Sequence, residues 1–270
     1  MLPGRLGVGW SHNYDSKVII TPCAEAIVIG GEGGGMRFVD NGQGGLMPLK
    51  GYHGTLIPSP ADRSFDFYSK DGTRYHYRNF GTRVEWNLEF IEDTNGNITK
   101  LGYDPTSREV AKLATVQDQA GRTLKFTYED RLFAYVGESK PVITQVEGPD
   151  GIVLTFSYDE NGNLVRAARE ADARVEAYSY STATTLPSWL QHKLTSYTNP
   201  NGHVTTYLYN EETFVVPGQG MTLPTIMLPY SVVNEVKDAE GGTTGFAYNF
   251  NARTTTVTNP RARATTYTTN

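Results

Sequence analysis

An all-β fold, built from tandem β-hairpins in an antiparallel sheet, is what this sequence predicts. Three observations carry that reading. A glycine turn recurs in frame along most of the chain, each time followed at fixed spacing by a bulky residue and a tyrosine. Tyr (17) outnumbers Phe (11) and Trp (3), beside 28 Gly and 14 Pro, a balance suited to pleated surfaces punctuated by turns. Few stretches keep apolar residues at three- and four-residue spacing over three turns, so long helices are not expected.

The repeat is aligned on the glycine of each Asp/Asn-x-x-Gly turn: Gly96, Gly121, Gly151, Gly202 and Gly241, with Ala173 and Ala262 in two degenerate copies. Five residues later stand Leu101, Phe126, Phe156, Tyr178, Tyr207, Phe246 and Tyr267. Seven residues later stand Tyr103, Tyr128, Tyr158, Tyr180, Tyr209 and Tyr248, with Thr269 breaking the last copy. Upstream, Leu88, Leu113, Ile143, Val165, Leu194 and Val233 lie eight before the aligned position. Ile91, Val116, Val146, Ala168, Tyr197, Val236 and Val257 lie five before, and Asp93, Asp118, Asn199, Asp238 and Asn259 three before.

Positions five and seven after the glycine are two apart, so they project from one face of a strand. Leu124 and Leu154 extend that face, while Thr123, Lys125 and Thr127 take the other. A tyrosine buries a large ring yet keeps a hydroxyl for a polar partner. Asp or Asn ahead of Gly supplies turn chemistry, since the short side chain bonds local backbone and Gly tolerates positive φ. Ala at that position pays a steric penalty, so Ala173 and Ala262 are expected to mark turns of a different type. Each unit reads as strand, tight turn, strand. Spacings of 25, 30, 22, 29, 39 and 21 residues between aligned positions put insertions between units. Single hairpins are marginal, so stability must come from pairing with neighbours.

Asp93-Thr94-Asn95-Gly96 … Tyr103-Asp104 and Asp150-Gly151 … Phe156-Ser157-Tyr158-Asp159-Glu160-Asn161-Gly162-Asn163-Leu164 resemble the YD repeats of bacterial Rhs proteins, Tc toxin C components and teneurins. Leu6-Gly7-Val8-Gly9-Trp10-Ser11-His12-Asn13-Tyr14-Asp15 resembles the opening of the module that precedes such repeats. Asp71-Gly72-Thr73-Arg74-Tyr75-His76-Tyr77 resembles a first repeat. The resemblance covers nearly the whole chain. It implies a curved, spiralling antiparallel sheet, a partial β-shell, which in the full-length polypeptide encloses a C-terminal toxin domain. In that family a further region plugs the shell and, in many members, releases the toxin through an aspartyl active site. The sequence stops before such a region, so neither autoproteolysis nor toxin activity is expected of it.

Two parts are expected: a Gly-rich leading module at 1–60 and the repeat array at 61–270. Inserts interrupt the array at 181–193, around Leu186-Pro187-Ser188-Trp189, and at 211–231. The second mixes Phe214, Val215, Val216, Met221, Leu223, Ile226, Met227, Leu228 and Tyr230 with Pro217, Pro224 and Pro229. Prolines argue against a central strand, so a loop packed back over the sheet is expected, with a partner-binding surface as the alternative.

The formal net charge is −5 and no basic run is present, which disfavours nucleic acid as a partner. No apolar run is long enough for a membrane helix, and the first residues do not begin a signal peptide. The single cysteine, Cys23, cannot form an internal disulfide. His12, His53, His76, His192 and His203 lack metal-ligand spacing. Gly30–Gly35 lacks the Lys-Ser/Thr of a phosphate loop. Asp62/Asp66 and Glu211-Glu212 are the nearest carboxylate pairs, and nothing in their spacing argues for glycosidase chemistry over solvation. Asn97-Ile98-Thr99 matches a glycosylation acceptor inside a repeat turn. No catalytic, cofactor-binding or metal-ligating residue is assigned, and no cofactor is expected.

The expectation is therefore a structural, non-catalytic shell segment of a secreted or cell-surface protein. Its partners would be the rest of its polypeptide, including the toxin domain, and a secretion machinery. The alternative is an extracellular adhesion module that binds carbohydrate or protein, with a cell-surface glycan as its partner.

Overall fold

The computed structural model describes residues 3–43, 45–80, 84–105, 112–133, 137–181, 192–216 and 226–268. Strands and turns account for nearly all of them; the only helical pieces are two three-residue 3-10 turns, at Pro149–Gly151 and Glu170–Asp172. Beyond a two-residue pairing of β1 (Pro3–Gly4) with β2 (Gly7–Val8), the other 21 strands make antiparallel sheet. Two compact units are distinguished: Leu2–Leu164 with Arg169–Ala171, and Val165–Ala168 with Asp172–Asn270.

The first unit opens with two four-stranded meanders. One is β3 (Lys17–Ile20), β4 (Ala26–Ile29), β5 (Gly35–Asp40) and β6 (Leu46–Pro48). The other is β7 (Thr55–Ser59), β8 (Ser64–Tyr68), β9 (Arg74–Arg78) and β10 (Glu85–Glu92). β6 lies beside β7, and β10 returns to β3 through Glu85↔Ile19, Trp86↔Val18 and Asn87↔Lys17, so these eight strands close into a ring. The expected boundary at residue 60 falls inside this ring, between the paired strands β7 and β8.

Alternation fills the ring. Val18, Ala26, Val28, Phe38, Leu56, Phe67, Tyr77 and Leu88 point inward and are almost fully buried. Phe38 meets Phe67 edge-on at 6.1 Å, and Phe65 meets Trp86 at 5.1 Å. Burying each of the larger aliphatic and phenylalanine side chains among these contributes about 1.5–3 kcal/mol.

β10 serves two neighbours because its register slips at Glu89: Leu88 pairs with Tyr77, but Phe90 pairs with His76. A bulge bends the strand. Ahead of it β10 follows β3, and beyond it Phe90–Glu92 pair with β11 (Ile98–Tyr103). From there the meander continues through β12 (Leu113–Gln117), β13 (Thr123–Phe133), β14 (Glu138–Glu147) and β15 (Val153–Tyr158). β16 (Leu164–Arg169) gives residues to both units.

In the second unit β17 (Arg174–Tyr180), β18 (Leu194–Thr198), β19 (Val204–Val216), β20 (Ile226–Lys237), β21 (Thr243–Asn249), β22 (Thr254–Thr258) and β23 (Ala264–Thr268) pair in chain order. The loop expected at 211–231 is corrected at both ends. β19 and β20 stay paired from Thr206↔Lys237 to Val216↔Ile226, and Pro229 stands within the ladder opposite Thr213. The reason is local. The ladder of β20 with β21 covers only Glu235–Lys237, so the rest of this hairpin is a two-stranded arm. A proline is tolerated where its missing N–H would face an unpaired edge. The arm of β13 and β14 carries Pro141 in the same way, opposite Asp130. Pro217 and Pro224, and most of the expected insert at 181–193, lie outside the described residues.

Candidate functional site

The turns come first, because they set the frame. Gly96, Gly121, Gly151, Gly202 and Gly241 all have φ between +72° and +86°. In the turn of Gly96, the Asp93 carboxylate accepts the N–H groups of Asn95 and Asn97, while the Gly96 N–H donates to the Asp93 carbonyl. Asn199 and Asn259 repeat the arrangement through their side-chain oxygens. Ala262 corrects the expectation of a different turn. It takes φ +57° and donates to the Asn259 carbonyl just as the glycines do. Ala173 is also left-handed, at φ 55°, beside the 3-10 turn of 170–172. The bonds of an Asx turn outweigh the steric cost of one Cβ in the Ala262 turn.

The tyrosines form the most regular chemical feature of the chain. Tyr103 donates from its hydroxyl to the carbonyl of Leu88 (2.6 Å), and Tyr128 to that of Leu113 (2.8 Å). Tyr158 donates to Ile143 (2.5 Å), Tyr209 to Leu194 (2.8 Å) and Tyr248 to Val233 (2.9 Å). Donor and acceptor are fifteen residues apart each time. The residue eight before the glycine therefore offers its carbonyl to the tyrosine seven after it.

A slip in register explains why that carbonyl is free. Ladders shift past Glu89, Ala114, Thr144, Thr195 and Asn234, one residue beyond each acceptor. Around each glycine the hairpin keeps three paired positions, such as Gln145↔Thr155 to Glu147↔Val153, and then parts. The phenol bridges the gap. Burial, as the leading cause, holds Tyr103, Tyr158 and Tyr209 above the ordinary tyrosine range and pushes Tyr128 up to about 12. The hydroxyls thus stay protonated and able to donate. In β13 alternation follows the expected facing from Leu124 on, with Leu124, Phe126 and Tyr128 half-buried and Lys125, Thr127 and Glu129 exposed. Thr123 is half-buried instead of exposed, and in β15 Leu154, expected on the buried face, is exposed.

The leading segment runs along this face in the first unit. The Arg5 carbonyl accepts the Ile143 N–H (2.8 Å), the Val8 N–H donates to Gly162 (3.1 Å), and the Ser16 carbonyl accepts the Leu88 N–H (3.2 Å). Val8 is 1% exposed.

A second cluster lies on β8, β9 and β10, where Arg74-Tyr75-His76-Tyr77-Arg78 alternates charge with ring. Arg74 grips both carboxylate oxygens of Asp66 (2.8 and 3.2 Å) and reaches Glu92 at 3.1 Å. His76 stands between Asp66 (2.8 Å) and Glu89 (3.5 Å), stacked on Phe90 at 4.6 Å. For Asp66 burial, the largest influence, acts upward, but the Arg74 and His76 bonds together hold its carboxyl below the ordinary 3.8. The histidines are thus not all scattered: His76 joins this network, and His12 sits in the leading segment. The signal for the first was the alternation in β9, which spacing along the chain cannot resolve across strands.

The remaining candidates stay apart. Asp62 accepts from Ser59 and does not pair with Asp66. Gly30–Gly35 makes the turn between β4 and β5, closed by Gly30 N–H to Gly34. The Asn97 amide donates to Asp93. His53 and His203 are exposed, as is Cys23. Glu211 and Glu212 lie in β19 opposite Ser231 and Tyr230. Among the described residues no three His, Cys, Asp or Glu side chains gather where they could hold a metal ion.

No family model matches the chain, and no curated protein does. Among solved structures, the crystal structure of TcdB2-TccC3-Cdc42 is similar over 92% of this chain, at 12% identity and a TM-score of 0.35. This chain spans only 15% of that one. A porin-like protein from Bacteroides uniformis is similar over 83% of this chain and 98% of its own, at 10% identity and a TM-score of 0.32.

Proposed function

We propose that the chain is a structural, non-catalytic segment of an Rhs-type β-shell, which encloses a C-terminal toxin domain in the full-length, secreted or surface-exposed protein. One observation carries the reading. In five repeats the most chemically capable residue of the motif, the tyrosine, donates its hydroxyl to the same backbone carbonyl of its own unit. A motif whose functional group is bound internally in five of its seven copies serves to build sheet. The charged cluster around His76 is likewise closed on itself by ion pairs across three strands. Partners then lie within the same polypeptide and its secretion machinery.

Two measurements test this. On a glycan array the chain should be silent; saturable binding to one saccharide class would favour an adhesion module instead. In the full-length polypeptide, the domain downstream of the repeats should resist added protease, and Tyr158→Ala should remove that protection. Equal digestion of the downstream domain in wild type and variant would overturn enclosure.

A further inference from the structure

We infer that the leading segment, residues 3–16, is an acid-released strap over the tyrosine face of β11 to β15, with the turn at His12 as its catch. The strap is bonded to the sheet by backbone and side chains alike, the hydroxyls of Ser11 and Ser16 donating to the Gly31 and Ile29 carbonyls (2.6 and 2.8 Å). Its carbonyls at Arg5 and Ser16 accept the N–H groups of Ile143 and Leu88, the very residues whose carbonyls receive Tyr158 and Tyr103. The Arg5 guanidinium donates to the Pro141 carbonyl (3.4 Å), and the Ser16 hydroxyl bonds Tyr77 (2.8 Å). A Cβ at Gly7 would stand 2.5 Å from the Gly162 carbonyl oxygen, so only glycine lets the strap lie this close.

His12 is the group in this path whose ordinary titration lies near neutral pH. Its Nδ1 accepts the Tyr14 N–H (3.3 Å), its carbonyl accepts the Asp15 N–H (2.8 Å), and its ring lies 5.8 Å from that of Phe126. A nitrogen that accepts an N–H must be unprotonated, so a proton on Nδ1 would set two donors against each other and open the turn. Asp15 and Arg5 are its charged neighbours on the strap, and Tyr103 and Tyr128, on β11 and β13, interact electrostatically with Asp15. Burial and Arg5 act to lower the His12 pKa and Asp15 to raise it, with the balance below the ordinary 6.5. The closed strap therefore holds fewer protons than the released one, and closure weakens as pH falls through about 6.5 and below.

The test is amide exchange, corrected for the intrinsic rate, at about pH 7.5 and about pH 5.5, around His12's ordinary titration range. The N–H groups of Val8, Leu88 and Ile143 should be protected at the higher pH and lose protection severalfold at the lower. The Val28 amide, inside the ring, should be unchanged. In His12→Asn the side-chain oxygen can replace Nδ1 as acceptor without titrating, and protection should persist at both pH values. Equal protection of the wild type at both pH values would overturn the strap as an acid-sensitive device. So would an unaltered pH response in His12→Asn, or loss at Val28 in parallel with Val8.

Discussion

Tyr158 and Ile143 face each other across a parted hairpin, phenol to carbonyl at 2.5 Å, where the β14–β15 ladder has stopped at Gln145↔Thr155. The bond is buried, and Ile143 is 1% exposed. Replacing the phenol leaves a dry carbonyl without its donor. Tyr158→Phe should therefore cost about 1–3 kcal/mol, and Tyr158→Ala about 3–5 kcal/mol once the ring is also removed. Thr127→Ala, on the exposed face of β13, should stay within about 0.5 kcal/mol. Chemical denaturation of the three variants checks the order. Equal costs for Tyr158→Phe and Thr127→Ala would mean that the ladder of phenols carries no stability.

The turn of Ala262 offers the opposite change. Ala262 holds φ +57° in a turn whose counterparts at Gly96, Gly202 and Gly241 have no Cβ. Ala262→Gly should stabilise the local turn by about 1 kcal/mol, less a few tenths for the entropy of the unfolded glycine. The measurement is slower exchange of the Arg263 N–H, which the Asn259 side chain accepts at 3.0 Å. Faster exchange in the variant would show that the alanine is not strained.

These residues mark how far the sequence could be read. The glycine is marked by its tolerance of positive φ, and the Asx residue and inward tyrosine by their side-chain chemistry, so pattern alone placed them. The phenol's partner is a backbone carbonyl, which has no letter of its own. The bulges that free it fall on Glu89, Ala114, Thr144, Thr195 and Asn234, residues with nothing in common. Closure of the ring through Trp86↔Val18 joins strands far apart in sequence, with no local signal for the pairing. Pro229 was misread because the rule against proline in central strands does not reach a two-stranded arm.

The charged cluster predicts an acid limb. Asp66 is held below 3.8 chiefly by Arg74 and His76 acting against its burial. The folded state thus binds fewer protons than the unfolded one. Its stabilising contribution is present above about pH 4 and is lost as pH falls through the lowered value. Asp66→Asn should flatten the dependence of stability on pH below about 4 and lower stability at neutral pH. Melting curves across that range decide it: an acid limb of the same steepness in both proteins would mean that other carboxylates dominate.

Gly7 and Gly96 separate conformational strain from packing. Their φ values are nearly the same, +87° and +81°, so an alanine meets a similar backbone penalty in each. Their surroundings differ. A Cβ on Gly96 meets nothing within 4 Å, whereas one on Gly7 meets the Gly162 carbonyl oxygen at 2.5 Å and the Tyr158 ring at 3.2 Å. Neither neighbour can easily withdraw. Gly162 is itself at φ +78°, its own Cβ position blocked by the Phe133 ring, and Tyr158 is tied to Ile143. Gly96→Ala should cost about 1–2 kcal/mol, the left-handed term alone. Gly7→Ala should add about 1–3 kcal/mol of overpacking to that. The extra loss should appear as faster exchange at the Val8 and Ile143 amides, the two places where the leading segment is bonded to the sheet beside Gly7. If the two variants lose equal stability, the leading segment does not press on Tyr158 as described.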